Sequence, residues 1–227
     1  MALALKAEKK LLRKAMASKL KNLVSVSEQS KAVTERILRH PYFARCASIG
    51  CYLSMPSGEI DTDLLVRSIL RSGSSVLLRV MFILTLLANS GKTLYVPNID
   101  KTIEGRMELL RVYDEADLDS LPSGVWGIRE PGQLRNGQPR ASAEDTGLDL
   151  ILVPGLAFDR SFSRLGHGKG YYDRFITTYS TNRPTPLLMG LALQEQLLDA
   201  GTIPTASHDW KMDSIVVDGE EIEQGSD

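Results

Sequence analysis

The sequence predicts an α/β fold: a single three-layer α/β/α domain with a mostly parallel sheet, Rossmann-like but without the dinucleotide fingerprint. Three observations predict it. Short apolar runs alternate with longer segments of helical spacing. Runs such as Asp149 to Pro154 are apolar at consecutive positions, as strands covered on both faces must be. The 227 residues, 43% hydrophobic and 24% charged, suffice for one substantial core of ordinary globular composition.

In chain order, Leu3, Leu5, Leu11, Leu12, Met16, Leu20 and Leu23 fall mostly at helical spacing. Intervening lysines and Arg13 leave a basic opposite face, so the first element is an amphipathic helix. Ser25 or Ser27 can cap a second helix running to about His40, where Pro41 forbids continuation. Ala47 to Leu53 reads as a buried strand and Pro56-Ser57-Gly58 as the loop after it. Asp61 can cap a helix through Leu70. Lys92 to Pro97, Asp149 to Pro154, Leu187 to Leu193 and Ser214 to Val217 read as strands, and Tyr171 to Tyr179 as a helix. Residues 1–218 are expected to form the domain and 219–227 an acidic flexible tail.

One stretch breaks this rhythm. The apolar run from Val76 to Ala88 is short for a bilayer span and carries Arg79, which argues against a transmembrane helix. Arg71-Ser72-Gly73 would join directly to Lys92-Thr93-Leu94, giving helix, glycine stop and strand. Residues 74–91 are therefore read as an insertion, with an extra buried helix or strand as the alternative.

Charge narrows the function. A net charge of -1 supplies no broad attraction for nucleic acid or an anionic membrane, so any anion must be held by a local site. Cys46 and Cys51 have neither metal-ligand spacing nor disulfide density and read as buried small hydrophobes. Met1 to Lys21 is basic and has no apolar core with a cleavage site, so a cytoplasmic protein is expected, with a mitochondrial presequence as the alternative.

The local anion site is visible. Between the strand ending at Pro154-Gly155 and the helix starting near Tyr171 lie Gly166, Gly168 and Gly170, interleaved with His167 and Lys169 and preceded by Arg164. Strand, glycine loop and helix N-terminus in that order let backbone amides converge on an anion, and the two cations add full charge. The segment is neither the nucleoside-triphosphate loop, because Lys169 is followed by Gly170, nor the dinucleotide fingerprint, because Gly168 and Gly170 are two apart. Asp173, one turn into the helix, is placed to meet Mg²⁺ on bound phosphates or simply to favour a helix start.

Gly147 to Asp159, followed by Arg164-Leu165-Gly166-His167-Gly168-Lys169-Gly170-Tyr171-Tyr172-Asp173, closely resembles the signature of the 5-formyltetrahydrofolate cyclo-ligase family. Lys9 to Arg13, Leu53 to Thr62, Trp126 to Pro131 and Asp209 to Asp213 are similar to further family segments, whereas Ser74 to Gly91 has no counterpart. The resemblance implies ATP-dependent cyclisation of 5-formyltetrahydrofolate to 5,10-methenyltetrahydrofolate through a phosphorylated formyl group, with ATP and Mg²⁺ required. It implies catalytic roles for Arg164, Lys169 and Tyr172. It further implies nucleotide contacts from Lys9, Lys10, Leu11, Leu12, Arg13 and Arg164 through Tyr172. Folate contacts are implied for Leu53, Met55, Glu59, Trp126 and His167 through Tyr171, and metal contacts for Asp173 and Asp209. The expected partners are small molecules, and the chain is expected to be a monomer. The alternative is a catalytically impaired folate- or nucleotide-binding protein of the same fold; a sugar-phosphate isomerase or acyl-CoA transferase relative would leave Glu59 and Tyr171-Tyr172-Asp173 unexplained.

Overall fold

A computed structural model describes residues 2–21, 23–74, 91–100, 102–124 and 127–224. Helix α1 (Ala2–Leu20) buries Met16 and Leu20, and α2 (Val26–Arg39) buries Val33 and Ile37 one turn apart. Pro41 does more than end α2. It opens a further short helix, α3 (Pro41–Arg45), because a proline at the first helical position needs no amide partner and His40 caps the turn by accepting from the Tyr42 N–H.

Strand β1 (Ser48–Cys51) leads through a loop to α4 (Asp63–Ser74), where Asp61 accepts from the Asp63 N–H. Strands β2 (Thr93–Ile99) and β3 (Met107–Val112) form an antiparallel pair. Helix α5 (Glu115–Ser120), the hairpin β4 (Leu134–Arg135) and β5 (Gln138–Pro139), and α6 (Ala143–Thr146) connect to β6 (Leu150–Val153). A small hairpin, β7 (Ala157–Asp159) and β8 (Arg164–Leu165), precedes α7 (Tyr171–Asn182). Strands β9 (Leu187–Leu191), β10 (Leu197–Leu198), β11 (Ser214–Val216) and β12 (Glu221–Glu223) complete the described fold.

The large sheet has the order β12-β11-β9-β6-β1-β2-β3, with the five inner strands parallel and both edges antiparallel. Alternate residues of each strand feed two cores. Ile49, Leu94, Leu150, Leu152, Met189 and Val216 pack with α1, α2 and α4, whereas Tyr95, Ile151, Leu188 and Ile215 pack with α7. The expected helix–sheet–helix layering is therefore present. Gly50 belongs to the second face, where an added Cβ would stand 2.9 Å from Leu109 Cδ1. Asp149 fixes the strand starts: its Oδ2 accepts from the Ala47 N–H at 2.7 Å and the Ser48 N–H at 2.8 Å.

The structure departs from the sequence reading at its short elements, two of which form the sheet edges. The segment read as an acidic tail contains β12, because Glu221–Glu223 completes the edge of β11 and Glu221 Oε1 lies 2.8 Å from buried His40 Nε2. Strand β3 went unread because Arg111 and Glu108 interrupt its apolar residues, yet its pairing with β2 covers the other edge. The suspected insertion lies outside the described residues apart from its ends. Among the described residues no helix is long and apolar enough to cross a membrane.

Both flanks of that segment are anchored to other described parts of the chain. Arg67 of α4 reaches Asp63, Glu115 and Asp119, and Arg71 reaches Glu115 at 2.7 Å. On the other side Lys92 Nζ donates to the Phe43, Ala44 and Cys46 carbonyls, and the Thr93 N–H donates to Ala47. A chain lacking residues 75–90 is therefore expected to fold, with a thermal midpoint within about 5 °C of the full chain. Loss of the cooperative melting transition on deletion would show that the segment belongs to the core.

Candidate active site

The strand order reverses between β1 and β6. From β1 the chain runs to α4 on one face of the sheet, and from β6 it runs to α7 on the other, so their C-terminal ends diverge and leave a crevice. A cleft of about 810 Å³ opens there. Its lining carries seven lysines and arginines against four carboxylates, a local positive field in a chain of net charge -1.

The cationic end is built from α1 and the glycine loop. Lys9 and Arg13, four residues apart, share one helix face. Arg13 Nε donates to the Gly166 carbonyl at 2.8 Å, which ties α1 to the loop. Gly168 has φ +95° and Gly170 has φ +68°, backbone conformations that side chains disfavour. At Gly168 an added Cβ would also stand 3.2 Å from the Arg13 guanidinium carbon. The loop therefore lies against Arg13 and ends at the N-terminus of α7, where free amides and the helix dipole favour an anion.

Two carboxylates hold cations in place at this end. Arg164 Nη2 lies 2.7 Å from Asp173 Oδ2, and Asp173 Oδ1 accepts from the Trp210 N–H at 3.1 Å. Lys9 Nζ lies 2.5 Å from Asp209 Oδ2, which also accepts from the Ala206 N–H at 2.6 Å. Burial alone would raise the Asp209 pKa, but Lys9, the Ala206 amide and His208 outweigh it and hold the carboxyl below its ordinary value. Burial, then the Arg164 and Arg13 charges, lowers the His167 pKa and favours its neutral ring.

The opposite end is apolar with one acid. Leu53, Met55 and Ile128 line it, and Glu59, 5% exposed, accepts from the Met55 N–H at 2.6 Å. Among the described residues Glu59 has no ion-pair partner, and burial pushes its pKa up to about 7 despite the Met55 hydrogen bond. Thr62 Oγ1 donates to the Tyr52 carbonyl and the Tyr52 hydroxyl to the Ile60 carbonyl, so this loop is bonded to itself. Tyr172 stands between the two ends: the Arg164 guanidinium carbon is 5.6 Å from its ring centroid, and burial keeps the phenol protonated.

The structure brings Lys9, Arg13, Leu53, Met55, Glu59, all of Arg164 to Asp173, and Asp209 to one cleft. It does not bring Lys10, Leu11 and Leu12 there. Successive helical residues turn by about 100°, so Lys10 and Leu11 face solvent and Leu12 packs on the core. Trp126 lies outside the described residues. Sequence reasoning missed Lys6, one turn before Lys9 and Lys10, and it missed Ile99 and Met107, whose contribution required the unread β2–β3 pairing. Among the described residues Asp173 and Asp209 gain no third metal-type ligand. The one such trio found there, His40, Glu221 and Glu223, is off the cleft. His40 Nδ1 accepts from the Tyr42 N–H, so a neutral ring carries its proton on Nε2, which faces Glu223 Oε1 at 3.4 Å, and offers no lone pair there to a metal.

Burying Glu59 has a measurable cost. Its folded pKa lies above the ordinary 4.5, so the cost is absent below pH 4.5, grows with ionisation and is complete above about pH 7. The shift corresponds to about 3 kcal/mol. Glu59→Gln is therefore expected to be more stable than the parent protein at about pH 8 by up to that amount, with the difference vanishing near pH 4.5. Denaturant melts across this range check it; a pH-independent difference would mean that Glu59 is not desolvated.

Comparison with known proteins bears on this cleft. The model of the 5-formyltetrahydrofolate cyclo-ligase family matches residues 5–83 and 79–218, two stretches that meet inside the apolar segment. A probable 5-formyltetrahydrofolate cyclo-ligase of Caenorhabditis elegans is 38% identical over 197 residues, 86% of this chain and 84% of that protein. The 5-formyltetrahydrofolate cyclo-ligase of Mus musculus is 30% identical over 190 residues, 83% of this chain and 81% of that protein. Among solved structures, the 5,10-methenyltetrahydrofolate synthetase of Aquifex aeolicus superposes with a TM-score of 0.70 at 27% identity, covering 96% of this chain and 94% of that one.

Proposed function

The chain belongs to the 5-formyltetrahydrofolate cyclo-ligase family, and we propose that its cleft cyclises 5-formyltetrahydrofolate to 5,10-methenyltetrahydrofolate at the expense of ATP. One observation carries the reading: a single crevice at the strand-order reversal has a cation- and glycine-lined end and an apolar end with a buried acid. Those two chemistries suit a polyphosphate and a pterin side by side.

The formamide oxygen is a poor leaving group. In the proposed reaction it attacks the γ-phosphorus of ATP, the bond to ADP breaks, and an imidate-like phosphate forms. N10 then attacks the formyl carbon, and phosphate departs with the original formyl oxygen and the N10 proton. The protein's task is to align the two ligands and to neutralise charge in a water-poor cleft. Lys9, Arg13, Arg164 and Lys169, with the amides of Gly166, Gly168 and Gly170, are assigned to the phosphates. Glu59 is assigned to adjacent N–H donors of the pterin, with Leu53 and Met55 as walls. Tyr171 and Tyr172, at the start of α7, are assigned to the meeting point of the ligands.

Asp173 and Asp209 are hard oxygen donors beside the phosphate loop, each already neutralised by a protein cation. They fit Mg²⁺ carried on phosphate and water rather than a closed protein cage. Such an ion would draw charge from the phosphates. Lys9 is placed to exchange Asp209 for a phosphate oxygen, and that exchange would leave Asp209 free to face the ion. A cytosolic monomer is the setting assigned to this activity.

The protein incubated with 5-formyltetrahydrofolate, ATP and Mg²⁺ is expected to develop methenyl absorbance; tight folate binding without product would indicate a binding protein instead. The two ends also divide the labour. Lys169→Ala is expected to weaken ATP binding about tenfold to a hundredfold, the value of a charge-assisted hydrogen bond, with folate affinity within about threefold of the parent. Glu59→Gln reverses the pattern. Equal losses for both ligands in both variants would contradict the assignment.

A further inference from the structure

The residue joining the two ends does not line the cleft. After β9 the chain makes a 3₁₀ turn at Gln194–Gln196, and Gln196 is fully buried. Its Nε2 donates to the Gly155 carbonyl at 2.7 Å and to the Gly58 carbonyl at 3.2 Å, and its Oε1 accepts from the Leu193 N–H at 2.8 Å. Both amide protons are thereby used, one on each loop bordering the crevice. Gly58 immediately precedes Glu59, and Gly155 stands at the root of the segment that leads through β7 and β8 to Arg164 and the glycine loop.

The turn is itself tied to the helices. Lys19 Nζ of α1 donates to the Glu195 carbonyl at 2.8 Å. Buried Gln29 of α2 accepts from the Gln194 N–H at 2.8 Å and donates to Glu195 Oε2 at 3.1 Å. The helix carrying Lys9 and Arg13, the loop carrying Glu59 and the root of the glycine loop therefore converge on three residues. An apolar side chain of similar volume would fill this space but leave the Gly155 and Gly58 carbonyls and the Leu193 N–H without this partner. The amide adds a fixed distance between two carbonyls.

We propose that Gln196 is a positioning residue whose buried amide sets the spacing between the Glu59 loop and the glycine loop, so that the folate and the nucleotide are held in reacting register. The proposal rests on the two-ligand reading of the cleft. In that reading the phosphates take mainly the glycine loop and the pterin mainly the Glu59 loop, so loss of the bridge spares each binary complex and damages the ternary one. Misplacing reacting groups by about 1 Å lowers turnover on the order of a hundredfold.

Two variants test it. Gln196→Met keeps the volume and removes all three bonds; Gln196→Glu keeps the acceptor for Leu193 and removes donors facing the two glycine carbonyls. Circular dichroism melts establish folding, titrations give the Kd of ATP and of 5-formyltetrahydrofolate separately, and methenyl absorbance gives kcat. The expected result is a kcat about 10- to 100-fold below the parent in both variants, with each binary Kd within about threefold. A kcat within about twofold of the parent, or kcat and both Kd values worsening in step, overturns the proposal. Where both variants melt below the assay temperature, Gln29→Met, which loosens the turn from α2, replaces them: a lowered kcat with unchanged binary Kd values supports the proposal, and the same two contrary results overturn it. An inactive parent protein would sink the cyclo-ligase reading and this proposal with it, whereas an active parent matched by its variants removes only the role of Gln196.

Discussion

The reversal of strand order between β1 and β6 is the constraint on which the rest of the molecule depends. Parallel neighbours whose chains leave toward opposite faces cannot close over their own C-terminal ends, so the fold generates a crevice before any side chain is chosen. What fills it follows from which segments border it. The β1 side supplies a tight, self-bonded loop with a buried acid, and the β6 side supplies a glycine loop feeding a helix N-terminus. Helix α1, anchored by Met16 and Leu20, reaches the mouth with three cations, Lys6, Lys9 and Arg13, at successive turns. Asp149, bonded to Ala47 and Ser48, keeps the two strands in the register that aligns these pieces.

Electrostatics explains how a nearly neutral protein maintains such a site. Lys9 and Arg164 are each paired with a carboxylate, so the cleft does not leave these cations in a partly dry space without partners. Neutralised pairs are also exchangeable, because an entering phosphate offers either cation a second anion. Glu59 is the opposite case: a desolvated acid with one backbone donor, held in a state that a ligand with N–H groups would relieve. A site that is unfavourable when empty is characteristic of binding surfaces, where stability and activity compete.

Much of this is legible in the sequence, for identifiable reasons. Consecutive apolar residues at Leu150 to Val153 announce a strand buried on both faces, and the glycines after Arg164 announce the loop that leads into α7, two of them at positive φ. The short elements are not legible. Strand β3 has charged residues in its run, and β12 is acidic, so pairing rather than composition makes each a strand. Within α1 the string Lys9 to Arg13 reads as one unit by resemblance, although helical periodicity assigns only its two ends to the cleft. Gln196 carries no signal, since a glutamine between Glu195 and Leu197 looks like a surface residue until the fold buries it.

The two-ended cleft is proposed to hold its ligands so that the γ-phosphoryl group passes directly to the formyl oxygen. The most direct test places ¹⁸O in the formyl group of 5-formyltetrahydrofolate and follows it through one turnover with ATP. Direct transfer requires the label to leave in inorganic phosphate, one atom for each methenyl group formed. Unlabelled phosphate, with the ¹⁸O recovered in water, would rule out direct transfer.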